Sequence, residues 1–240
     1  MQSDHESGSY SQVFQEHSPC PYFKDSRISS IEYLIPHEEE KEYFHIYLSN
    51  GYRRLGRIFY RNVCENCAEC RPLRIETDKF KPGKSQVRTW KKNRDIRIEI
   101  ADTSSLTTEK IMLYHTYVNS KHAEDKKEEL GDSVNILMAI HYGYARIIEM
   151  EYFLKDKLIG IGIVDAGADS LSSNYFYYNT DYLDRRLGIF SILKEIELAQ
   201  KLKKKYYYLG FYVEDNPKMS YKKYFRPNQV LKTGEWRDFL

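Results

Sequence analysis

Three cysteines, Cys64, Cys67 and Cys70, stand at two-residue gaps inside the run RNVCENCAECRPLR, and a fourth, Cys20, lies upstream in SPCPYF. Closely spaced thiolates on a tight loop are what Zn²⁺ and iron–sulfur clusters require, and the run is closer to the start of an iron–sulfur pattern than to a zinc ribbon of two separated pairs. Arg61, Arg71 and Arg74 flank it, and cations of this kind lower thiol pKa values and keep thiolates reactive. Metal binding is the best reading of the four cysteines. Buried, unligated thiols and a regulatory disulfide remain open beside it.

The second chemistry-bearing stretch is KPGKSQVRTWKKNRDIR, with seven basic residues (Lys81, Lys84, Arg88, Lys91, Lys92, Arg94 and Arg97) against the single acid Asp95. Ser85 and Gln86 can hydrogen-bond phosphates or bases, and Trp90 can stack. A solvated helix face explains the charge pattern equally well. Lys201 and Lys203 to Lys205 form a second cluster, for which a helix C-terminus is sufficient reason.

The elements that must position these residues follow from periodicity and breakers. The segment from Pro36 reads as a helix, with Glu38 to Glu40 in its first turn and Asn50-Gly51 as its stop. GRIFYR and PLRIET read as strands entering and leaving the cysteine run. The basic stretch turns helical after Pro82-Gly83, IRIEIAD alternates as a half-buried strand, and a helix runs from Leu106 to about Ala123. KHAEDKKEELGDS reads as a charged loop. Residues 145–179 read as three strands, turning at Lys155-Asp156-Lys157 and at Gly167-Ala168-Asp169. Ile189, Ile192, Leu193, Ile196, Ala199 and Leu202 then keep helical spacing from Gly188, and YYYLGFYV supplies a further strand. This is an α/β or α+β plan in which a helix start lies beside strand ends, an arrangement suited to receiving phosphate or carbonyl groups.

At 240 residues and net charge +2, the chain can bury a core and has no global field to attract nucleic acid. No apolar run approaches the ~20 residues of a membrane helix, and the polar first dozen residues read as disordered and lack a signal peptide's apolar stretch. The expectation is a cytoplasmic protein with no membrane partner. The 22 tyrosines suit base stacking and strand packing alike. No Ser-His-Asp or Cys-His pair shows a telling spacing.

Together, SPCPYF, GYRRLGRIFYRNVCENCAECRPLRI, FKPGKSQVRTWKKNRDI, YNTDYLDRRLGIFSILKEIELAQ and YYYLGFYVEDNPKMSYKKYFRP resemble the aminoacyl-tRNA–protein transferases of the N-degron pathway, the arginyltransferase family with its bacterial leucyltransferase branch. The segments keep the family's order over most of the chain, and the short length and three-cysteine loop are similar to the bacterial branch. The resemblance implies an N-terminal domain carrying the cysteines (14–98) and an acetyltransferase-like (GNAT) C-terminal domain (99–240). It also implies transfer of leucine, or alternatively arginine, from tRNA to protein N-termini beginning with Asp or Glu. Under it, Asp184, Tyr221 and Lys222 are the catalytic candidates. Arg61, Arg74, Ser85 and Gln86 are assigned to the acceptor, and Lys84, Arg88, Lys91, Lys92, Arg94, Leu187 and Gly188 to tRNA. Cys20, Cys64, Cys67 and Cys70 are assigned to zinc or an iron–sulfur cluster. DRRLGIFS retains one glycine of the Arg/Gln-x-x-Gly-x-Gly/Ala phosphate loop, so coenzyme A is not expected. A coenzyme A-dependent acetyltransferase and a non-catalytic metal- and nucleic-acid-binding protein are the competing classes.

Overall fold

The computed structural model describes residues 12–37, 43–121 and 127–239. The expected disorder of the first dozen residues and the acidic first turn at Glu38 to Glu40 fall outside them, apart from Gln12. Two sheets form the frame. The smaller has the order β1-β2-β4-β3, from β1 (Gln12–Pro19), β2 (Ile28–Ile35), β3 (Arg53–Leu55) and β4 (Ile58–Asn62). All its pairs are antiparallel.

The larger sheet has eight strands: β5 (Arg71–Glu76), β6 (Ile96–Ala101), β7 (Arg146–Leu154), β8 (Lys157–Ala166), β9 (Ser170–Tyr178), β10 (Tyr206–Tyr212), β11 (Gln229–Lys232) and β12 (Glu235–Asp238). Their spatial order is β12-β11-β5-β10-β9-β8-β7-β6. Only β9 and β10 run parallel, joined by the crossover helix α5 (Leu187–Lys201). Side chains of a strand alternate between faces. Ile148, Ile159 and Tyr207 pack with Phe190, Leu193 and Ile196 of α5, where Trp90 of α2 (Lys84–Lys92) also leans. Ile147, Leu158, Ile161 and Tyr177 instead meet Tyr114 and Val118 of α3 (Thr108–Lys121) and Leu137 and Ile140 of α4 (Leu130–His141). Helix α1 (Phe44–Ser49) joins the small sheet to the large one through Phe44, Leu48, Phe59 and Tyr208.

Consecutive arginines of β3 lock the sheets together. Arg54 is 3% exposed and meets Asp165 of β8 at 2.8 Å. It also donates to the carbonyls of Ala139, Ile140 and Tyr142, at 3.1, 2.7 and 2.9 Å, at the end of α4. A buried charge is tolerated when its hydrogen-bonding capacity is met in this way.

The division between sheets falls between Asn62 and Arg71, with β5 and β6 in the larger one. The strands and helices read from periodicity recur within a few residues, except that the helix read from Pro36 is described from Phe44. The start of α4 replaces part of the expected charged loop, whose residues 122–126 lie outside the described ones. Burial of Ser133, Leu137 and Ile140 at helical spacing outweighs the local charge density there.

Candidate active site at the split between two parallel strands

The parallel pairing of β9 and β10 lasts only from Ser170–Tyr206 to Ser172–Tyr208. Beyond it, the register of β10 against β5 shifts between Tyr208 and Gly210, and Gly210 takes φ +79°. Only glycine adopts that conformation without strain, and a Cβ there would collide with the Arg53 guanidinium. The LG in YYYLGFYV therefore opens the sheet.

Side chains from other elements fill the opening. Arg53 Nη2 donates to the carbonyls of Ser173 (2.6 Å) and Asn174 (3.2 Å) on β9. Its Nη1 is buried without a hydrogen-bond partner. On the other lip, Lys222 Nζ donates to the Phe211 carbonyl of β10 at 2.7 Å. Burial, with Arg53 nearby, lowers the Lys222 amine to about 7, so much of it is neutral at physiological pH. Tyr221, on the same 3₁₀ turn (Ser220–Tyr224), has its hydroxyl pushed up to about 12 by burial. Glu195 of α5 is fully buried. Tyr207 donates to its Oε2 at 2.7 Å, while Oε1 has no hydrogen-bond partner. Burial raises this carboxyl to about 7, against the Tyr207 and Ser173 hydroxyls and Arg53, which favour its ionised form.

Of the three catalytic candidates from sequence, Tyr221 and Lys222 meet here and Asp184 does not. Asp184 is exposed on the surface and bound to Lys92 Nζ at 2.8 Å, and that hydrogen bond holds its carboxyl below the usual range. Glu195 and Arg53 are the residues that sequence reasoning missed. Each had a signal: an acid on the apolar stripe of α5 between Ile192 and Ala199, and paired arginines leading into a short strand.

The basic stretch forms α2, whose Lys84, Arg88 and Lys91 are exposed, as is Arg94 just beyond it. Gln86 is buried and used locally: Oε1 accepts from Gly83 N at 2.8 Å, and Nε2 donates to the Tyr224 carbonyl at 3.1 Å. That bond fastens the basic helix to the turn carrying Lys222. Ser85 Oγ accepts from Arg186 at 2.9 Å. Trp90, read as able to stack on a base, packs edge-on against Phe190 with Lys194 over its ring. Leu187 is buried at the start of α5, whereas the space around Gly188 is open.

The four cysteines converge beside this centre. Cys64 Sγ accepts from Ser30 N at 3.3 Å, and Arg27 Nη1 donates to Cys67 Sγ at 3.6 Å. The expectation of a lowered thiol pKa is corrected at Cys70. Burial, and then Cys64, Cys20 and Cys67 around it, push that thiol up to about 12. The arginines meant to lower it are engaged elsewhere. Arg61 pairs with Glu32 at 2.8 Å and Arg71 with Glu69 at 3.2 Å. Arg74 binds Gln229 at 2.9 Å and lies between the rings of Tyr206 and Trp236. All four cysteines are free thiols, and among the described residues no three His, Cys, Asp or Glu side chains stand at metal-holding geometry. Cys64, Cys67 and Cys70 line a cleft of about 370 Å³ together with Arg61, Arg71 and Phe211, whose carbonyl holds Lys222.

A second polar cluster lies away from the split. Ser104 Oγ is 2.5 Å from His141 Nδ1 and 3.0 Å from Glu149 Oε2, and Lys110 meets Glu149 at 2.5 Å. Serine and carboxylate share one imidazole nitrogen while Nε2 faces Tyr177 at 3.1 Å. This is not the relay of a nucleophilic triad, which uses both nitrogens.

The family profile described as the arginine-tRNA-protein transferase N terminus matches residues 18–88, and that of its C terminus matches residues 109–232. A protein named aspartate/glutamate leucyltransferase from Leptospira interrogans (serovar copenhageni) is 36% identical over 216 residues, covering 88% of this chain and 82% of its own. One of the same name from Campylobacter jejuni is 34% identical over 221 residues, covering 89% of each chain. Among solved structures, L-PGS from Bacillus licheniformis aligns with a TM-score of 0.47 at 10% identity, covering 90% of this chain and 81% of that one. That likeness is too low to carry an argument.

Proposed function

The chain belongs to the arginine-tRNA-protein transferase family, and from that premise we propose that it moves leucine from leucyl-tRNA to the N-terminal α-amine of proteins beginning with Asp or Glu, creating a degradation signal. It is an aminoacyltransferase, and the shared name of its relatives is the observation that carries the choice of leucine over arginine. The substrates belong to the cytoplasm, and no helix among the described residues is long and apolar enough to cross a membrane.

The aminoacyl ester is already activated, so no covalent enzyme intermediate is needed. The acceptor α-ammonium titrates at ~8 and must lose a proton before it attacks. Neutral Lys222 takes that proton. The amine then adds to the ester carbonyl carbon. The tetrahedral species collapses by breaking the bond to the ribose oxygen; the Lys222 ammonium gives its proton to that leaving oxygen, and the new amide nitrogen loses its second proton to solvent water. Proton transfer by a positioned group contributes about 10²–10⁴-fold, and alignment of ester and amine supplies the larger share. Tyr221 lines the site beside Lys222. The splayed parallel pair supports assigning the larger sheet to the acetyltransferase-like (GNAT) class, with the aminoacyl ester where such folds receive an acyl group.

The exposed cations Lys84, Arg88, Lys91 and Arg94 suit tRNA phosphates, and the Gln86 link holds them to the turn carrying Lys222. Arg61 and Arg71 line the cysteine cleft, where an acidic acceptor side chain would compete with Glu32 and Glu69 for guanidinium forks that donate two bonds to a carboxylate. Arg74 is better read as a brace. Four converging thiols have the right chemistry for zinc or an iron–sulfur cluster. Cys20, Cys64, Cys67 and Cys70 would hold it, and it would cross-link their loop to the turn after β1. The test is direct: leucyl-tRNA and arginyl-tRNA, each labelled in the amino acid, are offered with peptides beginning Asp, Glu or Ala. Leucine should enter the first two alone. Arginine transfer would move the protein to the sister activity, and no transfer would overturn the reading.

A further inference from the structure

The inner face of the split holds more polar capacity than the steps above use. Glu195 Oε1 and the Tyr152 hydroxyl are both fully buried and both lack a partner. An unsatisfied buried oxygen of this kind is costly, and two together are a place that a polar partner would satisfy. The strand beneath them carries no side chain at two positions. Gly160 and Gly162 alternate on β8, so they share a face. A Cβ at Gly162 would stand 3.5 Å from Glu195 Oε1, and one at Gly160 would press on Phe176 at 3.2 Å. The rest of the wall is apolar and aromatic, with Phe176, Tyr178 and Phe190 around Tyr152 and Tyr221 packed against the same cluster. The charged and titratable groups facing the carboxyl are Tyr207, Tyr152, Tyr221 and Arg53, and no amine is among them.

A carboxyl with one open oxygen, set in an apolar wall, is the complement of an aliphatic amino acid whose α-amine is free. We infer that Glu195, with the Tyr152 hydroxyl, receives the α-ammonium of the donor's aminoacyl group, so that the enzyme reads an unblocked amino acid and not merely an acyl ester. This rests on the aminoacyl-transfer reading above. It makes Glu195 a specificity-determining residue and leaves Lys222 free to serve the acceptor's amine.

Three donors test it: leucyl-tRNA, N-acetylleucyl-tRNA, and the deaminated ester carrying 2-hydroxy-4-methylpentanoate in place of leucine. The wild-type protein should use leucyl-tRNA about 10- to 100-fold better, in kcat/KM, than either amine-blocked or amine-free donor, as loss of a charged hydrogen bond implies. Glu195→Gln, which keeps the side chain's shape, should lower leucyl transfer by a similar factor while changing the hydroxy analogue less than about threefold, collapsing the preference. A purely structural role would depress all donors equally and keep the ratio. Transfer that ignores the amine in the wild-type protein overturns the inference without recourse to any variant. A preference that survives Glu195→Gln does so as well. No transfer from any donor overturns both this inference and the reaction it rests on.

Discussion

Arg53 and Lys222 hold carbonyls on opposite lips of one opening, the first on β9 and the second on β10, and the guanidinium adds to burial in keeping the lysine amine unprotonated. The rate should therefore follow the neutral amine. A plot of kcat/KM against pH should rise through a limb near 7, the value to which Lys222 is lowered. Lys222→Met should cost about 10²–10⁴-fold. Removing the cation with Arg53→Gln should let the amine protonate more readily and move the limb to higher pH. An unmoved limb in that variant would remove Arg53 from this role.

Glu195 and Lys222, both buried, also shape stability. Glu195 is raised from 4.5 to about 7, so its contribution is full below the unfolded value and is lost as pH rises through 7. Lys222 is lowered from 10.5 to about 7, so its contribution is full above 10.5 and is lost as pH falls toward 7. Glu195 is least favourable above 7 and Lys222 below it, so their sum is least favourable near neutrality. Glu195→Gln should raise the unfolding free energy at pH 8, by an amount on the order of 2–3 kcal/mol, and with it Tm, and leave both little changed at pH 4. Thermal melts at the two pH values decide it.

Lys91 and Lys92 are neighbours with different duties. Lys92 holds the carboxylate and carbonyl of Asp184, whereas Lys91 is exposed. Lys91→Ala should weaken tRNA binding and make its salt dependence shallower by about one unit of slope. Asp184→Asn should leave kcat within about threefold, since an ion pair this exposed is screened by solvent. A large fall in kcat with intact tRNA affinity would restore Asp184 to the chemistry.

Protein purified without oxygen should carry zinc or iron in proportion to its four-cysteine set. Cys67→Ser should release the metal and lower Tm, because ligand loss removes binding energy that supports folding. Elemental analysis and melting curves read both. Full stability and unchanged activity in the metal-free variant would leave the cysteines as ordinary packing.

Local pattern made β7, β8, β9, α5 and β10 legible because each is long and strongly periodic. It did not give β1, β2, β11 or β12: β1 is exposed throughout, the others are half-exposed or short, and all mix polar with apolar positions. Lys222 and Tyr221 were found through a resemblance of motif, while Arg53 and Glu195 were passed over for a physical reason. Their importance comes from what they lack: a partner for Nη1 and for Oε1. That absence is created by the shift in register at Gly210 and the bare glycines of β8, which are long-range facts. Arg61 and Arg74 stood out for the opposite reason, as charges beside cysteines, although Glu32 and the rings of Tyr206 and Trp236 already engage them.

Arg54 bears on how the chain is assembled. Its guanidinium comes from the small sheet, while its acceptors, the Asp165 carboxylate and three carbonyls at the end of α4, come from the large one. A fragment cut between the two family-matched segments would still contain Arg54 in one piece and its acceptors in the other, and β5 would be severed from β10. Each piece would bury an uncompensated charge or open a sheet edge, at a cost of about 3–5 kcal/mol for the ion pair alone. Two segments that look separable as text are therefore expected to fold as one cooperative unit. The chain should melt in one transition, and neither half should fold by itself.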